Sequence, residues 1–111
     1  MPKKAMEVLT ESMFYVLTAF WKEELCGTDV AERVETQTDG RVRLGPATLY
    51  TILAKFEKEK LIREVEVVGR KRTYRITEKG RLACREELER LRLCLQDATA
   101  LMEGGKTDAE S

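Results

Sequence analysis

The sequence predicts a mainly helical α+β fold, with four helices and one small β-hairpin. Three observations carry that expectation. Apolar residues recur at helical spacing along four stretches, and between residues 63 and 76 the period switches to strand-like alternation. The 111-residue chain also has room for one domain only. Apolar residues make up 42% and charged residues 36%, which excludes both a disordered chain and a membrane protein. No apolar run approaches the roughly 20 residues of a bilayer span. The start, Met1 to Glu7, is basic but has no long apolar stretch or cleavage site after it, so a cytoplasmic protein with no membrane partner is expected.

Residues 1–9 are expected to form an N-terminal arm, and residues 10–25 the first helix. Thr10 is its N-cap, and Gly27 stops it. Met13, Phe14, Val16, Leu17, Phe20, Trp21 and Leu25 form its apolar face. That face reads as core, or as an aromatic surface shared with a partner or a ligand. A second, shorter helix covers about 28–38, capped by Thr28 or Asp29, with Val30, Ala31 and Val34 inward. Arg41 to Leu44 alternates and reads as a short strand.

The third helix runs from Pro46, at its first position, to about Lys58. Leu49, Ile52, Leu53 and Phe56 fall on one face; Ala47, Thr48, Thr51, Ala54, Lys55 and Lys58 fall on the other, with Tyr50 at the edge. Small, hydroxyl and basic residues suit a helix that enters a groove. Arg63 to Val68 and Arg72 to Ile76 then form a hairpin around Gly69-Arg70-Lys71. A long helix follows over 77–102, with residues 103–111 expected as a flexible tail. Its residues Cys84, Leu88, Leu91, Leu95, Ala98 and Met102 repeat at spacings of 4 and 3, a heptad seam. A helix of this length, ~39 Å, outreaches so small a domain, so the seam is expected to pair with a second copy.

The charge is zero overall but uneven. Residues 41–81 hold twelve Lys/Arg and five acids, a net +7, which leaves −7 for the remainder. This basic block coincides with the third helix and the hairpin, the electrostatic footprint of a polyanion-binding surface. Two helices, a polar-faced third and a basic hairpin describe a winged helix-turn-helix with a long C-terminal dimerisation helix, over residues 10–76 and 77–102. Double-stranded DNA is the expected partner. Thr48, Thr51 and Lys55 would face bases, and Tyr50, Arg70, Lys71, Arg72 and Arg75 would hold phosphates.

Other chemistries lack their residues. Histidine is absent, which removes the commonest acid/base and an imidazole metal ligand, and no glycine-rich phosphate loop is present. No enzyme, cofactor or metal is expected. Cys26, Cys84 and Cys94 make no CxxC pair and are expected as free thiols. The competing reading, a winged helix that binds protein rather than DNA, would show acidic or apolar residues on the outer face of the third helix.

Leu44-Gly45-Pro46-Ala47-Thr48-Leu49-Tyr50-Thr51-Ile52-Leu53, Phe56 to Ile62, and Arg72-Thr73-Tyr74-Arg75-Ile76-Thr77-Glu78-Lys79-Gly80 closely resemble the PadR-type transcriptional regulators, over roughly residues 9–101. The resemblance implies a dimeric winged-helix repressor of the short subgroup with a single last helix. It implies that the first and last helices build the dimer, through Phe14, Leu17, Trp21, Leu88, Leu91, Leu95 and Ala98, and that a small hydrophobic or aromatic effector is sensed. Phe14 and Trp21 would line that effector's pocket. Three positions depart from the family: Cys26-Gly27-Thr28 replaces a His-Gly-Tyr run, Thr51 replaces a Pro, and Lys60 replaces a Gly, which would put Lys60 in a left-handed cap at up to ~1 kcal/mol.

Overall fold

A computed structural model describes residues 8–109. The elements are α1 (Glu11–Ala19), β1 (Leu25–Cys26), α2 (Gly27–Gln37), α3 (Pro46–Lys58), β2 (Ile62–Val68), β3 (Lys71–Ile76) and α4 (Glu78–Ala109). The strands form one antiparallel sheet in the order β1-β3-β2. Of the expected arm, residues 1–7 lie outside the described residues, and Leu9 is a core residue.

Thr10 caps α1 as expected, its hydroxyl accepting from the Met13 amide at 3.1 Å. The helix ends sooner than its apolar period suggests. The Phe20 and Trp21 amides close tight turns on the Leu17 and Thr18 carbonyls, and the chain swings out through Lys22, Glu23 and Glu24. Tertiary pairing overrides helical spacing here. Leu25 lies opposite Tyr74 and Cys26 opposite Thr73 in the ladder, while Phe20 meets Tyr74 edge-on at 6.4 Å. Trp21 and Leu25 are therefore outside the helix, and Gly27 opens α2 rather than stopping α1.

The N-cap position of α2 belongs to Cys26, not Thr28 or Asp29, and no side chain caps the helix. The Cys26 thiol instead donates to Asp29 Oδ2 at 3.2 Å. Residues 41–44 form no strand. Their alternation reflects one buried residue, Val42, whose amide donates to Thr38 Oγ1 at 3.0 Å, between two outward cations. Arg41 reaches Glu11 and the Tyr15 hydroxyl, each at 2.8 Å, and so ties this loop to α1.

Pro46 opens α3 as expected. The helix closes in a Schellman motif: the Leu61 amide bonds Phe56 O at 2.8 Å and the Lys60 amide bonds Glu57 O at 3.0 Å. Lys60 adopts φ +65°, the left-handed cap conformation usually left to glycine. The hairpin turns on Gly69 at φ +62°, with Val68 and Lys71 already paired, so Lys71 belongs to β3 rather than to the turn. A bulge at Val65 shifts the register between Glu64↔Tyr74 and Glu66↔Thr73.

Thr77 seats α4. Its hydroxyl accepts from the Gly80 amide at 3.0 Å and donates to Lys60 O at 2.7 Å. The core lies between α1, α2, α3, the sheet and the first turns of α4. Val16, Leu17, Phe20, Val30, Val34, Leu53, Phe56, Leu61 and Ile62 are its fully buried side chains. Ala83, Cys84 and Glu87 are the last buried residues of α4 up to Gly104, and over that stretch the helix leaves the body. It continues past the expected end at 102, through the segment read as a flexible tail, to Ala109.

Candidate nucleic-acid interface

Burial of Leu49, Ile52, Leu53 and Phe56 turns the opposite face of α3 to solvent. Ala47, Thr48, Thr51, Ala54 and Lys58 are exposed there. Among the described residues, the Thr48 and Thr51 hydroxyls make no side-chain hydrogen bond. Lys55 is half-buried and reaches Glu59 at 3.3 Å. Small residues without bulky apolar neighbours let another surface approach the helix closely.

Tyr50 joins two elements. It is exposed on α3, yet its ring lies against the first residue of α2: a Cβ on Gly27 would stand 2.9 Å from the Tyr50 hydroxyl oxygen. A side chain at residue 27 would push the Tyr50 ring outward, so Gly27 lets the ring lie against α2, a contact that its reading as a helix stop missed. A cleft of about 410 Å³ opens beside this contact, between the start of α2 and the hairpin, lined in part by Thr28, Tyr50, Arg70, Lys71 and Arg72.

The four hairpin cations differ in state. Arg70 and Lys71 are exposed at the tip and make no ion pair among the described residues. Arg72 is engaged: Nη2 meets Glu64 Oε1 at 2.9 Å and Glu57 Oε2 at 3.6 Å, and Nε donates to Glu64 Oε2 at 3.4 Å. The hydrogen bond from Arg72 lowers the Glu64 carboxyl below its ordinary pKa and raises the guanidinium in return. Arg75 sits at the base of the hairpin, 3.6 Å from Glu24 in the α1–β1 connection. The structure thus gathers Tyr50, Arg70, Lys71 and Arg72 around one cleft, with Thr48 and Thr51 on the adjoining helix. Arg75 stands apart from this group. Asp29 also lines this cleft, its carboxylate accepting from the Cys26 thiol, and the exposed face of α2 beyond it carries Glu32 and Glu35.

The residues expected at a subunit interface divide as well. Leu88, Leu91 and Leu95 are 59%, 38% and 68% exposed, and Ala98 is exposed beside them. Cys84, at the head of the same seam, is buried within its own domain. Leu17 is 0% exposed in the single chain, so it is a core residue and has no surface to offer a partner. Phe14 is half-buried against the core, 6.5 Å from the Tyr15 ring.

Trp21, just past α1, lies under two cations of α4: the Arg81 and Arg85 guanidinium carbons are 4.8 and 5.3 Å from its ring centroid. The cleft beside it, about 80 Å³, is smaller than a ligand pocket and does not include Phe14. One chain therefore does not join Phe14 and Trp21 into a cavity. Among the described residues no group of His, Cys, Asp and Glu could hold a metal ion, and no helix is long and apolar enough to cross a membrane.

Solved structures share the architecture. A transcriptional regulator from Clostridium thermocellum superposes with a TM-score of 0.71 at 22% identity, covering 78% of this chain and 88% of its own. A PadR family transcription regulator from Clostridium difficile R20291 gives 0.70 at 15% identity, covering 81% and 96%. RosR of H. salinarum gives 0.64 at 20% identity, covering 84% and 96%. No curated protein sequence matches the chain. The family model described as the transcriptional regulator PadR-like family matches residues 16–86, from the middle of α1 into α4. That span is more than half of the chain and holds both the α3 face and the hairpin, so this protein belongs to the PadR-like family of DNA-binding transcriptional regulators.

Proposed function

We propose that the protein is a homodimeric repressor that reads double-stranded DNA with α3, grips the phosphate backbone with its hairpin wing, and is released by a small flat aromatic ligand. The observation that carries DNA reading is an exposed, hydroxyl-bearing α3 face beside a wing tip whose two cations, Arg70 and Lys71, are unpaired among the described residues. Thr48 and Thr51 then discriminate base edges in the major groove. Tyr50, Arg70 and Lys71 contact phosphates, which position the helix without reading sequence.

The dimer reading is supported by the stripe Leu88, Leu91, Leu95 and Ala98, which its own chain leaves uncovered. A second copy buries it and sets two α3 helices about one DNA turn apart, roughly 34–36 Å, as a two-fold operator requires. The effector reading is supported by Trp21 and its two guanidinium neighbours, which suit a flat ring bearing an acid group.

Footprinting on the DNA upstream of the protein's own gene tests the core of this reading. The expected result is a protected two-fold site occupied by one dimer, with affinity well above that for random DNA. Equal affinity for upstream and random duplexes would overturn specific reading.

A further inference from the structure

We infer that Arg72 is a positioning residue that yokes the wing to the recognition helix, not a phosphate ligand. This rests on the DNA-reading function proposed above and assigns one of its cations a different task. Strand alternation places Arg72 on the same face of β3 as Tyr74 and Ile76, both buried, whereas Lys71, Thr73 and Arg75 point the other way. The Arg72 side chain stays 50% exposed, and its guanidinium meets three groups from three elements. Glu64 of β2 takes two of its N–H groups, Glu57 of α3 stands 3.6 Å away, and the Tyr74 ring of β3 lies 5.7 Å from the guanidinium carbon. Among the described residues, no other side chain pairs with both α3 and the opposite strand of the hairpin.

The bulge at Val65 belongs to the same device. It leaves Glu64 opposite Tyr74, hence diagonal to Arg72 on one face, within reach of a long side chain. A planar guanidinium can satisfy one carboxylate in a forked manner and still address a second, which a lysine ammonium cannot do with the same fixed geometry. Two carboxylates also offset the charge of Arg72, so it adds little to the field that a phosphate meets. Its neighbours Arg70 and Lys71 carry that field, and the yoke fixes the angle at which they stand to Thr48 and Thr51.

Four variants and two readouts decide the matter: R72A, R72E, the swap R72E/E64R, and R70A/K71A, each first checked for helix content by circular dichroism. Amide exchange along β2 and β3 should quicken at least about tenfold in R72E and return to within about threefold of the parent in the swap. R72Q replaces R72E if the latter does not fold. In DNA titrations, R72A should weaken binding by about 3- to 10-fold while the slope of log affinity against log salt stays unchanged. R70A/K71A should make that slope shallower by roughly 1 for each phosphate left without its cation. A slope in R72A shallower by about 1 would make Arg72 a phosphate ligand and overturn the inference. So would unchanged hairpin exchange in R72E, or in R72Q where R72E does not fold. If the parent protein binds no DNA, the function proposed above fails, and amide exchange in R72E, followed in the last turns of α3 as well as in β2 and β3, still decides the yoke.

Discussion

Gly80 stands directly over the carbonyl of Leu61: a Cβ at residue 80 would lie 2.2 Å from that oxygen and 2.7 Å from Ile76 Cγ1. The same carbonyl accepts the Thr77 amide at 3.0 Å. The first turn of α4 is thus pressed onto the junction where α3, in its left-handed cap at Lys60, hands over to β2. This contact fixes the long helix against the α3–β2 junction, and it rests on a backbone atom that cannot rotate away.

Gly80→Ala should therefore destabilise the fold although alanine favours helices. Relief requires a shift of α4 or of the Leu61 peptide, and overpacking of this kind costs about 1–3 kcal/mol. Thermal unfolding checks it, with a fall in Tm of at least several degrees expected. A midpoint at or above that of the parent would show that the junction yields freely.

Leu91→Asp with Leu95→Asp should give a folded monomer. Both side chains lie beyond the last buried residue of α4, so the variant keeps the core of the single chain and loses only the seam. Charge placed in a buried apolar seam without a partner costs several kcal/mol, enough to dissociate a dimer held by one helix pair. Sedimentation should show half the parent's mass with circular dichroism retained. A stable dimer in the double variant would remove the seam assignment.

The three thiols should react in a fixed order. Cys94 is exposed on α4, whereas Cys26 and Cys84 are buried. Burial pushes the Cys84 thiol from its ordinary value of 9.0 up to about 11. A maleimide at neutral pH should label Cys94 in the native protein and reach Cys84 only on unfolding, as peptide mass mapping would show. The raised pKa fixes the sign of the pH effect. Stability from the neutral Cys84 thiol is full below 9.0 and is lost as pH rises through about 11. Cys84→Ala should remove that part of the alkaline loss, and Cys94→Ala should not.

Legibility from sequence followed how local each signal was. Pro46 and Thr10 act within a few residues, and the structure places both as read; Gly69 turns the hairpin, with Lys71 in β3 and not in the turn. The left-handed Lys60 was also readable, because a Schellman cap is set by its own turn. The end of α1 was not. Helical spacing runs on through Trp21 and Leu25, and only pairing of Leu25 with Tyr74, 49 residues later, pulls the chain out of the helix. The wing misled differently. Counting cations made Arg70, Lys71, Arg72 and Arg75 equivalent, whereas strand alternation already separates Arg72 from its neighbours, and Glu24, Glu57 and Glu64 then engage two of the four. The contact of Gly27 with the Tyr50 ring comes from another helix, which no local pattern announces.

Trp21 supplies the test of effector binding. It is the single tryptophan of the chain, so its emission reports one place, next to Arg81 and Arg85 where α4 passes the end of α1. A phenolic acid can pair its carboxylate with one guanidinium and stack its ring on the indole, an arrangement that adds about 0.5–1.5 kcal/mol beyond area burial. One chain gives a cleft of only about 80 Å³ there, smaller than a ligand pocket, so if the proposed dimer completes the site the response should depend on the second copy. Titration of the parent with phenolic acids, under inner-filter controls, should quench Trp21 emission saturably, and the monomeric L91D/L95D variant should lose that response. Arg81→Ala with Arg85→Ala should weaken the acid at least about fivefold while leaving uncharged aromatics little changed. Bound ligand should lower affinity for the operator by a factor within about 5–150, the usual range of coupling between two sites. If no phenolic acid quenches the emission, or if a Trp21→Ala protein binds them as tightly by calorimetry, the effector does not sit at Trp21.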